Sequence, residues 1–402
     1  MKTREVKLGE VANVKGGKRI PKGIGLINIP NGHPYIRVRD LNNKRLLELD
    51  NSYEYVDNET QKVISKYTVK TGDVVLSIVG TIGLVAIVGR TLDGANLTEN
   101  CAKLSSFHGV NRDFLYYYLR SDCGQQEIRC GTVGAVQAKL PIKNIQNIAI
   151  NLPDYTTQER IASLLLSIDR KIELNQKIND NLEQQAVALF KSWFVDFSLF
   201  GGTVPENWED TTLENITTLI TRGIAPKYSD NSDQTVVNQK CIRNHTIDLS
   251  LARTHTPKAI NEKWLKFGDL LINSTGDGTL GRVAQVWFTP KALTVDSHVT
   301  IVRPAREELI FYIGLWGILH EKEIESLHTG STGQTELPRD RVKMLKLLLP
   351  NDSSLSRFNS IIAPMASTII SNQEENQKLA SLRDTLLPKL MSGEIDVSAI
   401  RL

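Results

Sequence analysis

Two stretches of this chain carry hydrophobic residues at alternating spacings of four and three for about forty residues each. In the first, Ile161, Leu165, Ile168, Ile172, Asn175, Asn179, Leu182, Ala186, Leu189 and Trp193 fall on one line, the seam of a coiled coil. Residues 156–195 hold no Gly or Pro, and Thr157-Gln158-Glu159 after Pro153 supplies a helix start. Adding 197 to each position gives Phe358, Ile362, Met365, Ile369, Asn372, Asn376, Leu379, Arg383, Leu386 and Leu390, so the seam is repeated with its central asparagines. Each stretch predicts a helix of roughly 60 Å. Amides inside a seam fix register, because only one alignment lets them satisfy one another. The alternative is that Asn175 and Asn179 lie at the solvent edge of an ordinary amphipathic helix. If the helices pack antiparallel, Asn175/Asn179 meet Asn372/Asn376. Pro364 is expected either to kink the second helix or to mark where its regular part begins.

Outside the seams the pattern is β-like. Val74–Ile78 and Leu84–Val88 are apolar, β-branched runs around Gly80-Thr81-Ile82-Gly83, which predicts a hairpin. Phe114–Leu119 has the spacing of a short buried helix, with Tyr116, Tyr117 and Tyr118 in the core. The hairpin recurs: Gly80-Thr-Ile-Gly-Leu-Val-Ala86 matches Gly278-Thr-Leu-Gly-Arg-Val-Ala284. Leu140-Pro141 and Leu152-Pro153 match Leu337-Pro338 and Leu349-Pro350 at the same offset of 197 as the seams, and Tyr35-Ile-Arg37 matches Cys241-Ile-Arg243. A period this long is a duplicated domain rather than a solenoid. The fold class is therefore mixed α/β (α+β): two globular domains in tandem, each followed by a long α-helix, the two helices pairing as an antiparallel coiled coil. The expected boundaries are 1–154, 155–197, 198–350 and 351–402.

The formal net charge of +3 hides an uneven distribution. Residues 1–45 contain eleven Lys and Arg against Glu5, Glu10 and Asp40, a local basic excess that suits a polyanion partner and equally an ordinary solvated face. The longest uncharged run, residues 74–89, is glycine-interrupted and too short to cross a bilayer. The first residues lead into polar sequence without an apolar core, so no secretory signal is expected. Cys101, Cys123, Cys130 and Cys241 show no metal-ligand spacing, which fits a reduced, cytoplasmic protein without structural zinc and without a membrane association.

Catalytic motifs are missing. There is no Asn/Asp-Pro-Pro-Tyr run, no Gly-x-Ser-x-Gly elbow and no His-Glu-x-x-His; Gly17-Lys18 has Ala12 where a phosphate loop needs its first Gly. Glu5-Val6-Lys7 lacks a preceding acid, and Asp296-Ser297-His298 reads as a strand-end hydrogen-bond set. The chain is expected not to be an enzyme itself.

Leu152-Pro153-x4-Gln158-Glu159-Arg160-Ile161, then Ile168-Asp169-x-x-Ile172 and Leu189-Phe190-Lys191, resembles the helical region of type I restriction–modification specificity subunits. Leu382-Arg383-x-x-Leu386-Leu387-Pro388-Lys389-Leu390-Met391-Ser392-Gly393-Glu394-Ile395 is similar to the end of the same family. The resemblance spans the chain, with one departure: Leu355-Ser356 stands where the first helix has Gln158-Glu159. It implies two target-recognition domains, each binding one half of a bipartite, asymmetric site in double-stranded DNA. It also implies helices that set the spacer and dock two modification (methyltransferase) subunits through their exposed faces, with restriction (translocase/nuclease) subunits joining the assembly. S-adenosylmethionine, ATP and Mg2+ would then act in those partners, with no cofactor in this chain. A coiled-coil scaffold whose two domains bind protein, or the specificity part of a fused restriction–methyltransferase enzyme, are the rival readings.

Candidate DNA contacts follow. Gly16–Lys22 with Lys15 is a basic loop able to offer backbone N–H groups and Lys15, Lys18, Arg19 and Lys22 to phosphates. Its counterpart holds Arg222 and Lys227. Arg37, Arg39 and Asp40, with Arg243 and Asn244 in the second copy, combine types that read bases; surface ion pairing such as Arg39–Asp40 is the plain alternative. Asn175, Asn179, Asn372 and Asn376 are the candidates for helix register. The Gly80–Gly83 and Gly278–Gly281 turns read as hairpin geometry, and Asp277 would repel a phosphate at the second. No catalytic or metal-binding residue is expected.

Overall fold

The computed structural model describes residues 2–41, 44–134, 136–276, 278–330 and 335–397. The chain packs as two units, Met1–Glu173 with Gln377–Leu402, and Leu174–Asn376.

In the first unit, strand Thr3–Lys7 pairs antiparallel with Ala149–Pro153, so the start of the domain is tied to the strand that feeds the long helix. A five-stranded sheet runs in the order Asn13–Gly16, Cys101–Ser105, Val74–Ser77, Val85–Val88, Leu46–Leu47. The predicted hairpin is its Val74–Ser77/Val85–Val88 pair. All four residues of both strands are buried, as a strand covered on both faces requires. Helix Arg112–Arg120 is capped by Asn111, whose side chain accepts from the N–H groups of Asp113 and Phe114. Tyr116, Tyr117 and Tyr118 are core residues, with Tyr116 and Tyr117 in edge contact.

The second unit repeats the plan. Glu209–Thr212 pairs with Lys346–Leu349, and a four-stranded sheet runs Thr217–Arg222, Val299–Pro304, Leu270–Asn273, Val283–Gln285. In place of a fifth strand it carries the small hairpin Ile242–Arg243/Thr246–Ile247. Its apolar helix Ile310–Leu319 is buried against the sheet core.

Both long helices form: Tyr155–Phe194 and Asp352–Ser392. The first starts at Asp154, whose carboxylate accepts from the Thr157 N–H (2.9 Å) and hydroxyl (2.7 Å); Asn351 does the same for Ser354 N–H in the second. The helical assignment is unbroken through the exposed Pro364, and the helix begins twelve residues before it. Pro364 therefore does not mark the start of the regular part; it stands in the helix interior, where it removes one i→i−4 hydrogen bond. Within the first unit, Ile161, Leu165 and Leu390 share one core, and buried Asp169 accepts from Arg383 (2.9 Å) and the Tyr117 hydroxyl (2.6 Å). Within the second, Phe190 lies 6.1 Å from Phe358, and Ala186 and Ala366 are buried beside them. These pairings run antiparallel. The first unit thus joins its helices partly through an ion pair and the second through an aromatic cluster.

Candidate nucleic-acid interface

The basic loop of the first unit is shaped by one close approach. A Cβ on Gly17 would stand 2.1 Å from the Thr98 carbonyl oxygen and 2.3 Å from that of Leu97, so only glycine fits. Here the Gly17 N–H donates to Cys101 O (3.0 Å) and the Lys18 N–H to Leu97 O (2.8 Å). The expectation that this loop offers backbone donors to phosphates is corrected for these two residues, because their N–H groups are consumed inside the domain. What faces outward is side chain: Lys15, Lys18, Arg19 and Lys22 are all exposed. Arg19 pairs with Glu99 at 2.6 Å while most of its side chain stays open. The Lys18 ammonium lies 5.6 Å from the Tyr67 ring centroid.

Arg37 and Arg39 converge on one carboxylate. Arg37 is ion-paired with Glu54, and Arg39 reaches Glu54 at 2.7 Å. Asp40 is buried; one carboxylate oxygen accepts the Arg37 backbone N–H at 2.7 Å and the other lies 3.5 Å from Arg39 Nε, so the Arg39–Asp40 ion pair named as the plain alternative is present. Burial pushes its carboxyl up to about 6, against the pull of Arg39 and Lys44. Of the trio, the exposed edge of Arg39 is the most accessible to a groove, and Asp40 serves as the brace.

The second unit reproduces the glycine. A Cβ on Gly223 would stand 1.9 Å from Val295 O, and the N–H groups of Gly223 and Ile224 donate to Val299 O (3.1 Å) and Val295 O (2.9 Å). Arg222 is half-buried, donating to Leu337 O (3.0 Å) and pairing with Glu336 (2.7 Å); Lys227 is exposed. Arg243 and Asn244 are exposed on the small hairpin, whose tip is Asn244-His245 with φ of 49° and 60°. Two positive φ values are the signature of a type I′ turn, for which Asn is favoured. Sequence reasoning missed the neighbours: His245, 3.4 Å from Glu321, and Arg253, stacked 3.6 Å over the Tyr228 ring. In the first unit it missed Lys66, Tyr67 and Lys103. The available signal was Lys103, a lone charge inside the apolar strand Cys101–Ser105.

The four asparagines lie together inside the second unit. Asn175 Nδ2 donates to Asn376 Oδ1 (2.9 Å) and to Glu375 Oε2 (2.7 Å), and Asn372 Nδ2 donates to Asn179 Oδ1 (2.8 Å). Asn175 and Asn179 are buried, not at a solvent edge. The hairpin glycines behave as turns: Gly80 and Gly83 have positive φ, and Gln125 donates to Gly83 O at 2.9 Å. Asp277 lies outside the described residues. Asp296 accepts the His298 N–H at 2.9 Å, as expected of a strand-end set. Among the described residues no group of three or more His, Cys, Asp or Glu is placed to hold a metal ion, and no helix is long and apolar enough to cross a membrane.

Residues 2–184 match the model of the type I restriction modification DNA specificity domain. The type I restriction enzyme MjaIX specificity subunit of Methanocaldococcus jannaschii is 25% identical over 393 residues, covering 91% of this chain and 88% of that protein. The HindI specificity subunit of Haemophilus influenzae is 23% identical, covering 67% and 73%. The chain is similar to type I restriction–modification specificity subunits over most of its length. A crystal structure of a type I restriction–modification S subunit from M. genitalium shares the fold over 96% of this chain and 95% of that one, with a TM-score of 0.54 at 16% identity. The motif that carried the resemblance has a structural meaning in this chain. Gln158 is buried: its Oε1 accepts the Asn111 N–H (2.7 Å), and its Nε2 donates to Pro153 O (2.9 Å) and Gly109 O (3.2 Å). Leu355, at the corresponding place, is equally buried but packs in the apolar core of the second unit. The departure in sequence is a polar hub exchanged for an apolar one.

Proposed function

We propose that this chain is the DNA sequence-specificity subunit of a type I restriction–modification complex, each unit reading one half of a bipartite, asymmetric target in double-stranded DNA. The observation that carries this reading is the duplicated domain whose scaffold is constant while its exposed residues differ. Gly17 and Gly223 make the same close approach, yet beside them Lys18 and Arg19 are exposed in one unit, whereas the other has Ile224 turned into the core and only Ala225 exposed. A shared frame with different outward chemistry suits two different half-sites. The long helices set the spacer and dock two methyltransferase subunits, and a translocase/nuclease subunit joins for cleavage. The chain is non-catalytic; S-adenosylmethionine, ATP and Mg2+ act in those partners, in the cytoplasm.

The test is single-molecule methylation mapping of a host carrying this chain with its neighbouring modification gene. One motif of two dissimilar halves around a fixed unread gap is expected. Replacing Arg37 and Arg39 by Ala should then relax choice in one half only. A contiguous motif, no motif, or equal loss of discrimination in both halves would sink the reading.

A further inference from the structure

Beside the start of the basic loop, the first unit contains a cleft of about 310 Å³ whose lining includes Lys15, Lys66, Tyr67 and Lys103. Lys15 and Lys103 are directly opposed partners in the antiparallel pair of strands Asn13–Gly16 and Cys101–Ser105. Like charges opposite one another destabilise a sheet, so their placement calls for an anion. Lys103 is partly compensated by Thr68 O at 2.6 Å and Asp73 at 3.5 Å. Lys15 and Lys66 are exposed, and neither has an acidic partner among the described residues. Lys18, whose ammonium lies 5.6 Å from the Tyr67 ring centroid, adds a further positive charge nearby.

The second unit lacks this site. Gly17 donating to Cys101 O and Gly223 donating to Val299 O align the two sheets. On that alignment Lys15 corresponds to Thr221 and Lys103 to Ile301, a buried core residue. The Lys70 N–H to Asp73 and Lys266 N–H to Asp269 bonds align the loop before the next strand, which sets Glu262 where the first unit has Lys66. Lys263, the counterpart of Tyr67, is turned inward onto Gly223 O at 3.0 Å.

We propose that the cleft around Tyr67 binds a DNA backbone phosphate, and that it is private to the first unit. This rests on the DNA-specificity reading above. Lys15 and Lys66 supply the charge that meets the phosphate, and Lys103 and the Tyr67 ring line the cleft beside them. The first half-site is therefore anchored through phosphate more heavily than the second, and most of the salt sensitivity of binding resides in the first unit.

The experiment uses the complex of the full chain with its modification subunits, and two duplexes: one bearing the mapped methylation motif, one scrambled in both halves. Binding is measured over a salt series for wild type, Lys15→Gln/Lys66→Gln, and Thr221→Lys/Glu262→Lys. The first variant is expected to weaken both duplexes by a common factor and to reduce the slope of log K against log salt by about 0.9, the value for one lost phosphate contact. The second should steepen the slope. An unchanged slope in Lys15→Gln/Lys66→Gln overturns the proposal, as does selective loss on the mapped duplex, which would make these lysines base readers. If wild type does not prefer the mapped duplex, the DNA-specificity reading itself fails and takes this proposal with it.

Discussion

Asp40 shows how a residue that looks like a base reader is used as a brace. Arg37-Val-Arg39-Asp40 reads in sequence as a solvated charge run, and nothing local says which members turn inward. The short helical turn at Val38–Leu41 buries Asp40 and points its carboxylate back at the Arg37 N–H. Burial raises its carboxyl to about 6, above the ~3.9 of an unfolded chain. The folded protein therefore holds this proton more tightly, and between about pH 4 and 6 stability falls as pH rises. Asp40→Asn keeps an acceptor for the N–H but has no proton to lose. Its stability relative to wild type should climb from pH 4 to 6 and then level off, as read from urea midpoints at four pH values; a constant difference would remove Asp40 as the source. Gln158 is the other informative single residue. Making it resemble the second unit, Gln158→Leu, strands the Asn111 N–H and two carbonyls, each costing on the order of 1 kcal/mol or more when buried. A loss of about 3 kcal/mol in chemical denaturation is expected, and a neutral result would mean that water takes over these bonds.

At the scale of elements, the long helices were the most legible part of the chain, because a heptad seam is a local pattern. Every seam position from Ile161 to Trp193 is buried or half-buried. The pattern is blunter near the helix end, where Phe190 rather than Leu189 is fully buried, since the helix there also faces the core of the second unit. The cleft lysines were illegible for the opposite reason: Lys15, Lys66 and Lys103 are brought together by strand pairing, which no local window reports. The asparagine bonds permit a clean cycle. Asn372→Leu removes the donor to buried Asn179 and should cost about 1–2 kcal/mol. The double variant Asn179→Leu/Asn372→Leu removes both partners and should recover wild-type stability or exceed it, because apolar seam pairs bury better than amides. The double variant should also accept a wider range of DNA spacers in a methylation assay, since apolar seams slide. If the double is as unstable as the single, the pair does not act as a register lock.

For the whole molecule, duplication explains which half of the problem sequence could answer. The scaffold was readable from the repeat, since Gly17/Gly223 and Gln158/Leu355 sit at matching places in both copies, whereas the outward chemistry was not, because exposed side chains are free to diverge over a fixed frame. That same separation makes the spacer an independent variable. Each long helix crosses from one unit to the other between Glu173 and Leu174, and between Asn376 and Gln377. Inserting one seam heptad at both junctions lengthens each helix by about 10 Å while preserving the phase of the apolar line. It leaves the Asn175–Asn376 and Asn179–Asn372 bonds inside the second unit and the Asp169–Arg383 pair inside the first. If the helices act as a ruler, the modified complex should methylate the same two half-sites at a spacer longer by about three base pairs, given ~3.4 Å per step. The readout is methylation across a target series that differs only in spacer length. Retention of the original optimum, or a change in either half-site, would show that spacing is set by the recognition domains and not by the helices between them.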